Sequence, residues 1–294
     1  MKAMFKAKKT SIVYPLTAQL TQGSTFAGGV AEEYGGCSTY GLIITARCDI
    51  EQDKVRTYNY LPIVLLRDWL ARDGKLILAE RLMADTMGQM KTLLKENNYS
   101  GNILEAETPE RILEILFPGG DSKAQKTQER FRQFCRQHEL ANAGLSNTPS
   151  QAICVRLAST APRLKDSILN DLVHQKLAGY YFLDQIEPNG DDSGHVVLLR
   201  EICLLPKQLA RRIIEGVDAK QYSALCTAEP RFRTSLYVGP GGFSMPLGLV
   251  SSPLIEHIMQ SFAMLFGRIG LSDPDPAYLA GLWERQRSAL EEKQ

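Results

Sequence analysis

Long apolar runs are missing from this sequence. No stretch approaches the roughly 20 residues that a helix needs to span a bilayer. The start, Met1-Lys2-Ala3-Met4-Phe5-Lys6-Ala7-Lys8-Lys9, is basic with no apolar run behind it. The expectation is a cytoplasmic protein with no secretory leader and no membrane partner. Charge imbalance is missing too. The chain has 34 lysines and arginines against 33 aspartates and glutamates, a net charge of +1. No global field therefore draws it to nucleic acid, and any such partner must be met by a local patch. The six cysteines, Cys37, Cys48, Cys135, Cys154, Cys203 and Cys226, contain no Cys-x-x-Cys pair and no zinc-finger spacing with histidine. Cys154 and Cys203 sit inside apolar runs and read as buried thiols in a reducing compartment. Gly28-Gly29 and Gly35-Gly36 lack the spacing of a dinucleotide fingerprint. The loop from Glu187 to Gly194 lacks the order and the closing glutamate of an EF-hand. No metal and no cofactor is expected.

What is present is globular material. At 294 residues, 44% hydrophobic and 23% charged, the chain has enough apolar content to close a core. It is organised around Tyr40 to Ile50, a glycine-led, β-branched run that reads as a buried strand emerging at Cys48-Asp49. The charged turn Glu51-Gln52-Asp53-Lys54 leads to a second run, Tyr58 to Leu66, and the two form a central hairpin. Short strands at Ser11 to Tyr14 and Gln22 to Phe26, set among glycines, predict a barrel or a strongly curved sheet. From Leu76 to Asn97 apolar residues recur every three to four positions, a helix. Thr108 caps and Pro109 opens the next, which ends at Phe117. A third runs from Ser122 to Ala143.

Strand character returns at Ala152 to Leu157. A helix follows at Pro162 to Lys176, then a hairpin of Gly179 to Leu183 and His195 to Leu205. Pro206 to Gly216 is a short amphipathic helix carrying Lys207, Arg211 and Arg212, and Arg231 to Val238 alternates like an edge strand. Ser252 caps and Pro253 opens a helix to Phe266, whose broad apolar stripe reads as core. Asp275 to Glu292 reads as a last helix. The expected fold class is α+β: a small curved β-sheet or SH3-like barrel interrupted by a helical insertion, with C-terminal helices. The parts are an N-terminal β part at 1–75, the insertion at 76–147, a β part completing the sheet at 148–245, and helices at 246–294.

No complete catalytic signature appears, and two fragments carry the chemistry. Cys48 and Asp49, at the mouth of a strand, would bind a ligand or, with a histidine, form a nucleophile pair. The sequence places none of His138, His174, His195 and His257 beside them. The bland alternative is a buried thiol followed by a turn-capping aspartate. Arg132 and His138 fit the loose Arg-x(4–6)-His spacing of HEPN ribonucleases, in which a cation and an imidazole flank a scissile phosphate. On a continuous helix six residues turn the two side chains about 120° apart. Lys123, Lys126 and Arg130 share a face of the same helix. With Arg132 and Arg136 they make a candidate surface for DNA or RNA, the alternative being a solvated face.

The order Gln22-Gly23-Ser24, then Thr45-Ala46-Arg47-Cys48-Asp49-Ile50, then Leu61-Pro62-Ile63-Val64 resembles a set of uncharacterised bacterial proteins. Those begin with a Gln-Gly-Asp … Ser-Gln-x-Cys-Asp-Leu pattern; here Ser24 stands where Asp is usual and Ala46 where Gln is. Their late helix resembles Ser252 to Phe266 followed by Arg268-Ile269-Gly270-Leu271. The front, residues 18 to 66, resembles the SH3-like barrel of PemK/MazF-type toxins. The first resemblance implies a partner-binding component of a multi-gene antiviral defence system, acting with protein subunits encoded nearby. The second, like the HEPN spacing, implies a ribonuclease toxin.

Overall fold

The central hairpin forms, but its turn is a helix. A computed structural model describes residues 12–16, 19–190 and 193–267, with the isolated positions 281 and 287. The basic start, the segment Arg268-Ile269-Gly270-Leu271 and the expected helix from Asp275 to Glu292 lie outside these, apart from positions 281 and 287 within that helix. Ten strands are described: β1 Ile12–Val13, β2 Ser24–Ala27, β3 Thr39–Ile43, β4 Thr57–Leu65, β5 Tyr180–Leu183, β6 His195–Leu198, β7 Cys203–Pro206, β8 Val217–Asp218, β9 Phe243–Ser244 and β10 Pro246–Val250. The main sheet is antiparallel in the order β1-β10-β2-β3-β4-β6-β5, with β7 also on β4, and it curls into a half-barrel. β8 and β9 pair separately.

β4 is the hub. One edge pairs with β3 through residues 60–64; the other pairs with β7 through 57–60 and with β6 through 63–65. Ile44 N–H bonds Asn59 O at 2.9 Å, so residues 59, 61 and 63 direct their backbone groups to β3. Pro62 therefore turns its donorless nitrogen to the other edge, in the gap where β7 has ended and β6 has not begun. Gly41, opposite Pro62, meets a different demand. Phe26 and Tyr60 stack edge to face across it, 5.2 Å between centroids, and a Cβ at 41 would stand against the Phe26 ring.

Both faces of the sheet are covered. One face, with Leu42, Leu61, Ile63, Tyr181 and Val197, buries Ile255 and Ile258 of the last described helix. On the other face Val64, Val196 and Leu198 pack with Trp69, Leu78 and Leu82, while Phe26, Ile43 and Tyr60 pack with Leu209, Ile213 and Phe232. The helices are α1 Arg47–Glu51, α2 Leu66–Trp69, α3 Lys75–Glu96, α4 Ile103–Ala106, α5 Pro109–Leu116, α6 Ser122–Gly144, α7 Gln151–Thr160, α8 Pro162–Val173, α9 Lys207–Glu215, α10 Ala219–Ala228 and α11 Leu254–Phe266. A π-turn, Leu70–Gly74, joins α2 to α3.

Five expectations are corrected. Residues after Ile43 leave the strand: Thr45 Oγ1 accepts the Asn59 N–H at 2.6 Å, and α1 carries Cys48-Asp49. Ala152 to Leu157 is helical because Ser150 caps it at Ile153 N, so the helical block runs on to Val173. The run from His195 breaks after Leu198, and β7 pairs with β4 rather than β5. Arg231 to Val238 forms a 3-10 turn, Pro230–Thr234; the Tyr222 hydroxyl bonds Phe232 O and Leu236 O. α11 begins at Leu254 without a side-chain cap, and only Ile255 and Ile258 on it are buried. All six cysteines are free, and no described helix is long and apolar enough to cross a membrane.

A polar knot holds the helical block to the sheet at the π-turn. The Tyr34 hydroxyl donates to Asp73 at 2.8 Å, and Arg72 pairs with Glu33 while lying 5.7 Å over the Tyr34 ring. The buried Lys75 ammonium donates to Ser146 O and, at 2.8 Å, to Thr148 O. Burial, and then the nearby Asp73 charge, push the Glu201 carboxyl up. A raised carboxyl pKa makes the folded state bind the extra proton, so its ionisation costs stability as pH rises. Replacement by the neutral amide, Glu201→Gln, is expected to raise the Tm at pH 7. The gain should vanish below about pH 4, the range where glutamate is protonated even in the unfolded chain. Gly41→Ala is expected to lose about 1–3 kcal/mol in urea unfolding through overpacking against Phe26.

Candidate functional site

The two sequence fragments fall on separate surfaces. On α1, Cys48 is exposed and its Sγ lies 3.8 Å from Asp49 Oδ1. Among the described residues no histidine is hydrogen-bonded to it. His174 Nδ1 is 2.8 Å from Asn170 O, His257 Nδ1 is 2.7 Å from the Tyr181 hydroxyl, His195 lies edge-on to Tyr40 on β6, and His138 is on α6. The thiol is also not buried, as the bland alternative required. What the α1 turn meets is α9: Asp53, just beyond it, pairs with Lys207 and lies 3.9 Å from Arg211. The Lys207 hydrogen bond holds the Asp53 carboxyl below its usual range.

On α6, Asp121 caps the first turn through Lys123 N and Ala124 N. Phe131, Phe134, Cys135 and Leu140 are buried, and burial pushes the Cys135 thiol up to about 11. The opposite face exposes Lys123, Lys126, Arg130 and Arg136. Much of its charge is already answered. Arg130 pairs with Glu96 at 3.3 Å, and Glu129 takes both Arg132 at 2.6 Å and Arg136 at 3.7 Å. Arg132 and His138 do share this helix, about 120° apart in rotation, with the guanidinium engaged by a carboxylate.

A third surface went unremarked in the sequence except for its cations. α9 turns Leu209, Ala210 and Ile213 inward, and Arg211 and Arg212 outward. An Asp218–Gln221 capping box starts α10 beside it. Between them lies a cavity of about 350 Å³, lined by Val217, Ala224, Leu225 and Ala228, with the Arg212–Glu215 pair at its edge. Phe243 lies across the backbone at Gly216, next to this cavity, and is 51% exposed. Tyr237 and Met245, which bond the backbone of Gly28 and Ala27, are 55% and 44% exposed. From Lys207 to Arg233 the chain has six lysines and arginines against three carboxylates, in a protein of net charge +1. Tyr237, Phe243 and Met245 flank the Gly-Pro-Gly-Gly loop at 239–242 without helical or strand period, so no pattern announced them.

Comparison with protein-family models, with curated proteins and with solved structures gives no match. Among the described residues no group of three or more His, Cys, Asp or Glu side chains is placed to hold a metal ion.

The compensation on α6 has a measurable consequence. Lys123 and Lys126 make no ion pair among the described residues. Two phosphate contacts give a log–log salt slope of about −2 on duplex DNA. Glu129→Gln releases Arg132 and Arg136 and is expected to steepen the slope to about −4 and strengthen binding at low salt. No shift of duplex DNA or RNA by either protein in low-salt gels leaves this face solvated only.

Proposed function

We propose that this chain is a partner-binding component, and that the α9–α10–β9 surface receives an acidic amphipathic helix from another protein subunit. The observation that carries this is half-exposed Phe243 beside an apolar groove whose walls belong to the positively charged segment 207–233, with Tyr237 and Met245 also half-exposed on the chain that flanks it in sequence. Aromatic anchors in a groove supply most of the energy of such contacts, and surrounding charge steers the approach. Helix-in-groove docking needs this combination. An acidic partner fits because Lys220 and Arg233 are exposed here and make no ion pair among the described residues. The cytoplasmic, multi-gene antiviral setting belongs to the same proposal and rests on the motif resemblance. Protein is favoured over DNA or RNA because Glu96 and Glu129 answer three of the five α6 cations, whereas the apolar trio gives nothing to a phosphate backbone. The ribonuclease alternative draws support from the curl of β2 to β4, which suits an SH3-like barrel. Engagement of Arg132 by Glu129 weighs against its HEPN form.

Co-expression with the neighbouring gene products, gel filtration and cross-linking test this. The expected complex cross-links through α9, α10 or β9, and Phe243→Glu dissociates it. Lys220→Glu with Arg233→Glu slows association and flattens its salt dependence. A complex that survives Phe243→Glu and cross-links elsewhere overturns the surface. RNA cleavage lost on Arg132→Ala or His138→Ala overturns the function in favour of the nuclease.

A further inference from the structure

α11 buries only Ile255 and Ile258 against the sheet face that carries Leu42, Ile63 and Val197. Beyond it, the segment after β5 crosses from one edge of the sheet to the other. Ile186 O accepts the Thr25 hydroxyl on β2 at 2.7 Å, and it approaches β10 so closely that a Cβ on Gly248 would lie 2.7 Å from it. A side chain at 248 would lift this segment away. Beside the crossing is a cavity of about 340 Å³, within the range of small-molecule sites.

The strands supply its floor in register. Leu65 on β4 faces His195 on β6 as its direct partner, and Tyr40 on β3 pairs one row along with Ile63. All three side chains fall on the same face as Leu42, Ile63 and Val197 by strand alternation. Tyr40 and His195 meet edge to face, 5.7 Å between centroids. Leu247 and Ile186 close the apolar part.

The rim has different chemistry. Arg67 and Glu187 both line the cavity, yet no ion pair joins them. Arg67 pairs instead with its own neighbour Asp68, 3.6 Å away, and keeps 72% of its side chain exposed. Glu187 is exposed and makes no ion pair among the described residues. Its turn is nevertheless set, since Gly190 N–H returns to Glu187 O at 3.2 Å. Two opposite charges thus border one small cavity without pairing with each other, Arg67 keeping most of its guanidinium in solvent beside Asp68, above a floor of Tyr40, Leu65, His195 and Leu247. A single molecule that carries both complementary charges and an apolar side chain satisfies rim and floor together.

We propose that this cavity binds a free α-amino acid with an apolar side chain, its carboxylate on Arg67, its ammonium toward Glu187 and its side chain on Tyr40, Leu65 and Leu247. The guanidinium suits a carboxylate because its planar fork makes two parallel hydrogen bonds. Little moves on binding, because the crossing segment is already fixed by the buried Thr25 bond. The site is separate from the α9–α10 surface, and neither needs the other.

Calorimetry on the full chain with L-leucine and L-phenylalanine tests it. Both are expected to bind one to one. N-acetyl-L-phenylalanine, which lacks the ammonium, and L-phenylalaninamide, which lacks the carboxylate, should each bind at least tenfold more weakly. Arg67→Gln should cost phenylalanine at least tenfold while leaving its amide unaffected; Glu187→Gln should do the same for phenylalanine and spare the N-acetyl form. Both positions are exposed, so circular dichroism should show each variant folded. No saturable binding of either amino acid up to millimolar concentration overturns the proposal. Equal binding of phenylalanine and both blocked forms also overturns it, because the rim charges would then be idle. So does saturable binding of AMP in place of the amino acids, which would assign the cavity to a nucleotide.

Discussion

β4 runs nine residues through the centre of the sheet, and once buried its backbone donors and acceptors must all find partners. β3 serves one edge. The other is too long for β6 alone, so β7 takes the part that remains. The rest of the architecture depends on that division. Placing β7 beside Thr57 to Tyr60 sends the chain into α9 next to the α1 turn, where Lys207 and Asp53 meet. Placing β6 beside Ile63 to Leu65 brings His195 under Tyr40 and opens the cavity. Pro62 marks the join, at the one place where a missing donor has no strand opposite it.

Charge in this molecule is spent largely on itself. Glu129, Glu96 and Asp53 each hold arginine or lysine side chains that would otherwise present a phosphate-binding face. Exposed ion pairs of this kind add little stability, but they alter what the surface offers a partner. Among the charges that make no ion pair with another described residue are Lys220 and Arg233 near an apolar groove and Glu187 at a cavity rim, where Arg67 pairs only with its neighbour Asp68. The two settings differ in shape as well as in sign. The first is open and predominantly basic, suited to another chain. The second is a partly open cavity bordered by both signs, suited to a small molecule.

Periodicity, caps and glycine placement by themselves determined much of the frame. α3 follows from apolar spacing over 22 residues, α5 from Thr108 and Pro109, and α6 from its length and buried stripe. β4 and β5 were visible as bounded β-branched or aromatic runs. These signals are local: each uses interactions within a turn or along one strand. Short apolar runs are different, because a buried strand and a buried helical turn share their composition. Ala152 to Leu157 became helix through one serine cap. His195 to Leu205 broke where β4 offered a second partner, and Arg231 to Val238 lost its strand form to the Tyr222 hydroxyl. Site assembly lay further from reach. The cations of α9 could be read, but the cavity draws on Tyr40, Arg67, Glu187, His195 and Leu247, spread over some two hundred residues. Only the curl of the sheet brings them together, since strand pairing, not sequence distance, sets which side chains become neighbours.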